Sequence, residues 1–174
     1  MTDKSLGYII RRAAPNDVRA IATVHVQSWQ SSYQGILPQD FLADLSIDSR
    51  MRGWTGHLSV PRRITLVGTT PDDRVVGFCD AGSNRDEPRA FDGEVYALYL
   101  LEEAKRKGLG RALFNEATAW LKQNDWSSWL AWVLTENAPA RRFYETLGGQ
   151  LLSEKPVTIG GVSYTEVAYG WRAG

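Results

Sequence analysis

The stretch Lys105-Arg106-Lys107-Gly108-Leu109-Gly110-Arg111-Ala112-Leu113 constrains this chain more than any other. An apolar, aromatic run from Glu94 to Leu100 ends just before it, and Leu109, Leu113, Ala117, Trp120 and Leu121 follow at helical spacing. A strand that turns through two glycines into an amphipathic helix must lie in a sheet, with the helix packed back on it. The start of that helix leaves N–H groups unpaired and carries partial positive charge, so Arg106 to Arg111 form a seat for phosphate oxygens. Gly108 and Gly110 remove side chains that would block a ligand, while Lys105, Arg106, Lys107 and Arg111 surround the same concavity with charge. Two other phosphate motifs are excluded. A Rossmann fingerprint needs a glycine where Leu113 stands, and a P-loop needs Lys-Ser/Thr where the chain has Arg111-Ala112.

The rest of the chain reads as a mixed α/β domain of the α+β type. Tyr8 to Arg11 is a short strand, and Pro15 opens a helix carrying Val18, Ile21, Ala22, His25 and Trp29 on its apolar face. A second helical region runs from Gln39 to about Leu58, with an interruption near Ser46 and Asp48, either of which can cap a new start. Strands at Arg63 to Val67 and Arg74 to Asp80 flank the turn Pro71-Asp72-Asp73, and Asn84 to Arg89 is a polar loop. Trp129 to Leu134 is a further strand. Asn137 caps a helix ending at Leu147, with Gly148 as its left-handed stop. Val157 to Ile159 and Val162 to Tyr169 close the chain as a hairpin through Gly160-Gly161.

With 174 residues and 43% hydrophobic content, a single domain over residues 1–174 is expected. Twenty basic and twenty acidic residues cancel, which removes any global field that would gather the chain onto nucleic acid or an anionic membrane. Cys79 has no second cysteine to pair with, so it is expected to be a buried structural thiol. His25 and His57 lack partners at metal-ligand spacing, and no metal is expected. No apolar run approaches the roughly 20 residues of a membrane span, and Met1 to Ala14 lacks a signal-peptide core, so a cytoplasmic location is expected. Trp126, Trp129 and Trp132 cluster near one strand, as core packing or as part of a homodimer face.

The glycine turn, the strand before it, and Asn137 with Ala140-Arg141-Arg142-Phe143-Tyr144-Glu145-Thr146-Leu147-Gly148 together resemble the GNAT acetyltransferase superfamily. The family pattern is Arg or Gln, two residues, Gly, one residue, then Gly or Ala; Lys105 to Gly110 matches it except for lysine at the first position. The resemblance implies an acyl-CoA N-acyltransferase fold with a central, mostly antiparallel, splayed sheet flanked by helices. It implies acetyl-CoA as cosubstrate, with main-chain groups of Leu98, Tyr99 and Leu100 along the pantetheine, Asn137 on the cofactor arm and Tyr144 beside the sulfur. The segment from His25 to Pro38 joins the first two helices, which in the family line the acceptor site, so Trp29 and Tyr33 are candidate substrate contacts, packing under the loop being the other reading.

The implied reaction is direct attack of a neutral amine on the thioester, the developing oxyanion being held by a backbone N–H near Leu98 to Leu100. An aliphatic amine with a pKa near that of lysine, about 10.4, must lose a proton, and Glu94 is the expected base, a water chain being the other route. Strict alternation puts Glu94, Tyr96, Leu98 and Leu100 on one side of their strand, a register that a bulge would change. The expected acceptor is a primary amine of a small molecule. The alternatives are a non-catalytic acyl-CoA sensor and a protein N-terminal or lysine acetyltransferase.

Overall fold

A computed structural model describes residues 7–85 and 90–174. The loop expected at Asn84 to Arg89 therefore lies outside them from Asp86 onward, as does the segment before Gly7. Seven strands form one sheet in the order β1-β2-β3-β4-β5-β7-β6. Strands β1 (Ile9–Arg12), β2 (Arg63–Thr69), β3 (Val75–Ser83) and β4 (Gly93–Leu100) make an antiparallel half. Strands β5 (Ser128–Leu134), β7 (Val162–Arg172) and β6 (Gln150–Ile159) make a second. The halves meet where β4 and β5 run parallel. Helices α1 (Val18–Ser32) and α3 (Ile47–His57) cover one face of the first half. Helices α4 (Leu109–Gln123) and α5 (Ala138–Thr146) cover the other face, and the short α2 (Gln39–Ala43) reaches toward the second half. The fold is the mixed, mostly antiparallel α+β architecture expected from the sequence.

Local chemistry sets the element ends. Ser46 interrupts the second helical region as expected, its hydroxyl accepting from the Ser49 amide at 3.2 Å. Asn137 caps α5 by accepting from the Ala140 amide at 3.2 Å. Gly148, at φ 81°, ends that helix with its N–H on the Glu145 carbonyl. Leu109, Leu113, Ala117 and Leu121 of α4 are all buried against the sheet, with Trp120 half-buried beside them. The final hairpin is longer than its sequence suggests, because β6 begins at Gln150 rather than Val157. As an edge strand it buries little, so Ser153, Glu154, Lys155 and Pro156 carry no alternating apolar signal.

Two irregularities shape the centre of the sheet. The β3/β4 register passes from Ala81↔Val95 to Asp80↔Ala97, so Tyr96 is an extra residue in β4, a bulge. The parallel ladder to β5 holds only at Gly93↔Trp129 and Glu94↔Leu130. Beyond Glu94 the two strands part, leaving one edge of β4 open.

Candidate active site

The open edge can be assigned residue by residue. The Leu101 amide donates to the Val76 carbonyl at 2.8 Å. With Phe78↔Tyr99 and Asp80↔Ala97 in the same register, antiparallel alternation turns the main chain of Tyr99 and Ala97 toward β3 as well. Leu98 and Leu100 then direct their N–H and C=O groups into the gap between β4 and β5. Tyr99 contributes its ring instead, stacked on His25 at a centroid distance of 5.2 Å.

At the end of the gap lies the glycine turn. Arg106 and Gly108 adopt left-handed conformations, φ 59° and 86°. None of the N–H groups of residues 106–111 donates to an acceptor among the described residues. A run of unpaired amides at a helix start is an anion cradle by construction. Leu109 holds it from below, its side chain fully buried against Gly68 and Gly77. A Cβ on Gly110 would make only ordinary contact with Leu100 and Phe143. Lys105 stands apart from the cradle: its ammonium donates to the Ser32 hydroxyl at 3.0 Å and to Glu102 at 2.8 Å.

On the far wall of the gap α5 presents Tyr144, 7% exposed and packed among Phe114, Phe143, Tyr169 and Trp171. Burial pushes its phenol well above the usual range, the Cys79 thiol and the Tyr33 phenol adding to the effect. Tyr144, Cys79 and Leu98 belong to one apolar cluster, and Cys79 pairs with Leu98 just past the bulge. The Tyr144 hydroxyl has no hydrogen-bond partner among the described residues. Cys79 itself is fully buried. Tyr33 packs beneath the α1–α2 connection with Leu37, Leu42 and Leu134, its phenol raised by burial and partly offset by the side chains of Asn137 and Tyr99.

The bulge corrects the expected alternation along β4. Leu98 and Leu100 pack on the α4 side with Val95, whereas Ala97 and Tyr99 pack on the α1 side. Tyr96 faces a cavity of 260 Å³ between α1, α3 and the sheet, lined by His25, Arg50, Trp54, His57, Arg63, Asp80 and Arg85 among others. Glu94, 3% exposed, does not share a side with Leu98 and Leu100. Its carboxylate accepts from the Arg85 amide at 3.1 Å and from the Arg85 guanidinium at 2.7 Å. That guanidinium lies 4.1 Å from the centre of the Tyr96 ring, which joins Glu94 to the cavity wall.

Little in the sequence announces this cavity. Asp80 is buried and paired with Arg63, and its Oδ1 also accepts from the Thr65 hydroxyl at 2.9 Å. A lone carboxylate ending the apolar run Val75 to Cys79 was the available signal. His25 lies on its helix's apolar face as expected, its Nδ1 accepting from the Trp54 indole at 3.2 Å. Trp29, one turn later, meets His25 and Tyr33 edge-on, with Arg50 over its ring. Among the described residues no group of three or more His, Cys, Asp and Glu side chains converges as a metal site.

A sheet that splays beside a run of unpaired amides, with a phenol in the gap, is an arrangement that could hold an extended, phosphate-bearing cofactor. Comparison with known proteins identifies the class: the model of the acetyltransferase (GNAT) family matches residues 11–148. The chain belongs to this family of acyltransferases. It is 37% identical over 164 residues to the N-acetyltransferase YuaI of Bacillus subtilis, covering 93% of this chain and 91% of that protein. PaiA N-acetyltransferase of Thermoplasma acidophilum, solved with coenzyme A, superposes with a TM-score of 0.77 at 19% identity over 95% of this chain and 98% of that one. YncA of Salmonella typhimurium, solved with acetyl-CoA, gives 0.73 at 18% identity over 96% and 94%. At these identities the solved structures speak to the fold. No helix among the described residues is long and apolar enough to cross a membrane.

Proposed function

We propose that this protein transfers the acetyl group of acetyl-CoA to a primary amine of a small molecule, by direct attack in a ternary complex. The observation that carries the reading is the run of unpaired N–H groups at residues 106–111, placed at the end of an open strand edge. Those amides would hold the pyrophosphate, and Arg106, Lys107 and Arg111 would add charge around it. Leu98 and Leu100 would pair with the pantetheine as a strand edge pairs with an added strand, and Asn137 would meet the same arm. The fit is supported by the two cofactor-bound fold neighbours.

Acetyl-CoA, when bound, would supply the thioester that the amine attacks. The Leu98 N–H, free of the β3 ladder, is the donor for negative charge developing on the carbonyl oxygen. Tyr144 donates a hydrogen bond to the departing sulfur. Glu94, held by Arg85 at the edge of the cavity, takes the amine proton through water. The cavity lies on the α1 side of the same strand, next to the bulge, and its 260 Å³ suits a small acceptor. The α1–α2 connection packs onto the β6–β7 hairpin through Tyr33, Phe41, Ile159 and Tyr164, apart from the residues that line the cavity, so the preference for a small acceptor rests on the cavity's size. A homodimer would use a face other than the tryptophan cluster, because Trp126 and Trp129 are buried and Trp132 is half-covered.

Calorimetric titration with acetyl-CoA tests the cofactor seat. Micromolar binding is expected for the wild type and none for Gly108→Glu, which brings a side chain and a negative charge into the cradle. Equal binding by both would move the pyrophosphate elsewhere. No binding by the wild type would overturn the reading.

A further inference from the structure

The acceptor-side cavity has an uneven charge inventory. Three arginines line it, Arg50, Arg63 and Arg85, with the imidazoles of His25 and His57 and a single carboxylate, Asp80. Arg63 is paired with Asp80, and Arg85 with Glu94 just behind the wall. Arg50 has no carboxylate partner among the described residues; its half-buried guanidinium rests 5.3 Å from the centre of the Trp29 ring. Once the pairs cancel, the charge of Arg50 is left over inside a concave, partly desolvated site. Of the two imidazoles, only His25 feels Arg50. His25 is pushed down to about 3, first by burial and then by Arg50, and His57 is lowered by burial and by Arg63. Neither histidine adds charge at neutral pH, and neither offers Arg50 an anion.

We propose that the acceptor amine also carries a carboxylate, as an amino-acid-type substrate does, and that Arg50 on α3 binds that carboxylate. The inference rests on the acetyltransferase reading and narrows its substrate class. Three physical points support it. A guanidinium fork matches a carboxylate in two parallel hydrogen bonds, and the centre of the Trp29 ring lies 5.3 Å from the guanidinium carbon. Leaving Arg50 unpaired beside a bound neutral amine would forfeit that interaction in a site where water is thin. A polyamine, positive at every nitrogen, would be repelled by the same surplus. The surplus also favours the neutral form of a nearby amine, which is the form that attacks. With the amine at the Tyr96–Ala97 bulge and Arg50 on the opposing helix, the two ends of one small molecule are addressed by opposite walls of the cavity.

The test uses the purified full chain with acetyl-CoA and matched acceptors: amino acids, their amides, the corresponding decarboxylated amines and a polyamine, with rates corrected for the fraction of neutral amine. Carboxylate-bearing acceptors are expected to lead in kcat/KM. Arg50→Gln is expected to erase that lead, raising their KM by about 10- to 100-fold. It should leave neutral amines within about threefold and acetyl-CoA affinity unchanged, and Arg50→Lys should restore part of the loss. Preference for neutral or polycationic amines, an Arg50→Gln effect equal across all acceptors, or acetyl-CoA binding with no carboxylate-bearing amine acetylated would each overturn the inference while leaving the cofactor seat intact. Absence of acetyl-CoA binding in calorimetry would instead overturn the underlying reading, and this inference with it.

Discussion

Tyr144 is a phenol held in an aromatic shell, its hydroxyl taking no hydrogen bond among the described residues. Burial keeps it protonated. Against a thiol near 8.5, a phenol at or above 10 makes full proton transfer uphill by roughly 2 kcal/mol or more, so the role proposed for the group is a hydrogen bond to the sulfur. Tyr144→Phe is accordingly expected to lower kcat by about 10²-fold with less than a twofold change in acetyl-CoA affinity. Glu94→Gln should lower kcat and alter its pH profile, and an unchanged rate and profile would take Glu94 out of the reaction in favour of water alone. His25 governs a different pH effect. The folded protein holds it neutral down to about 3, whereas the unfolded chain protonates it near 6.5. Unfolding therefore takes up a proton between those values, and stability falls as pH drops through that window while remaining unaffected above it. Thermal melts from pH 7 to 4 should lose less Tm in His25→Gln than in the wild type; parallel loss would mean that His25 is charged in the folded state.

At the scale of elements, the cradle depends on how α4 is seated. A Cβ at Gly68 of β2 would lie 2.7 Å from a methyl carbon of Leu109, whose side chain is fully enclosed and has little room to rotate. Gly68→Ala should destabilise the fold by about 1–3 kcal/mol and weaken acetyl-CoA binding, because lifting Leu109 displaces the amides that follow Gly108. Urea unfolding with unchanged midpoint would show that the helix absorbs the methyl group freely. The turn itself was legible in the sequence because it is a local object: strand, two glycines and amphipathic helix lie within about thirty residues. The capping roles of Ser46, Asn137 and Gly148 were legible for the same reason. The start of β6 was not, since an edge strand is held by main-chain pairing that polar side chains neither favour nor reveal. Lys105 shows the limit of motif matching: its position fits the cofactor pattern, yet its side chain ties the turn to the end of α1.

At the scale of the whole molecule, contact between distant parts of the chain ties the helices to the final hairpin. The α1–α2 connection is fastened to the β6–β7 hairpin, where a Cβ at Gly160 would come within 2.8 Å of the Phe41 ring. Phe41→Ala should cost about 1–2 kcal/mol, less than a fully buried phenylalanine, and raise the acceptor KM several-fold with acetyl-CoA affinity unchanged. Equal losses of both affinities would mean that the contact supports the entire gap. The sequence by itself determined the fold class, the order of elements and the glycine turn that opens α4, because these follow from periodicity, caps and glycines that act over short spans of chain. Only the tertiary structure decided the faces of β4 and the charge of the cavity. One inserted residue at Tyr96 reverses which side chains look toward α1, and that reversal appears only when β3 is laid beside β4. The surplus at Arg50 likewise exists only after Asp80 has taken Arg63 and Glu94 has taken Arg85, a cancellation between residues brought together by the sheet.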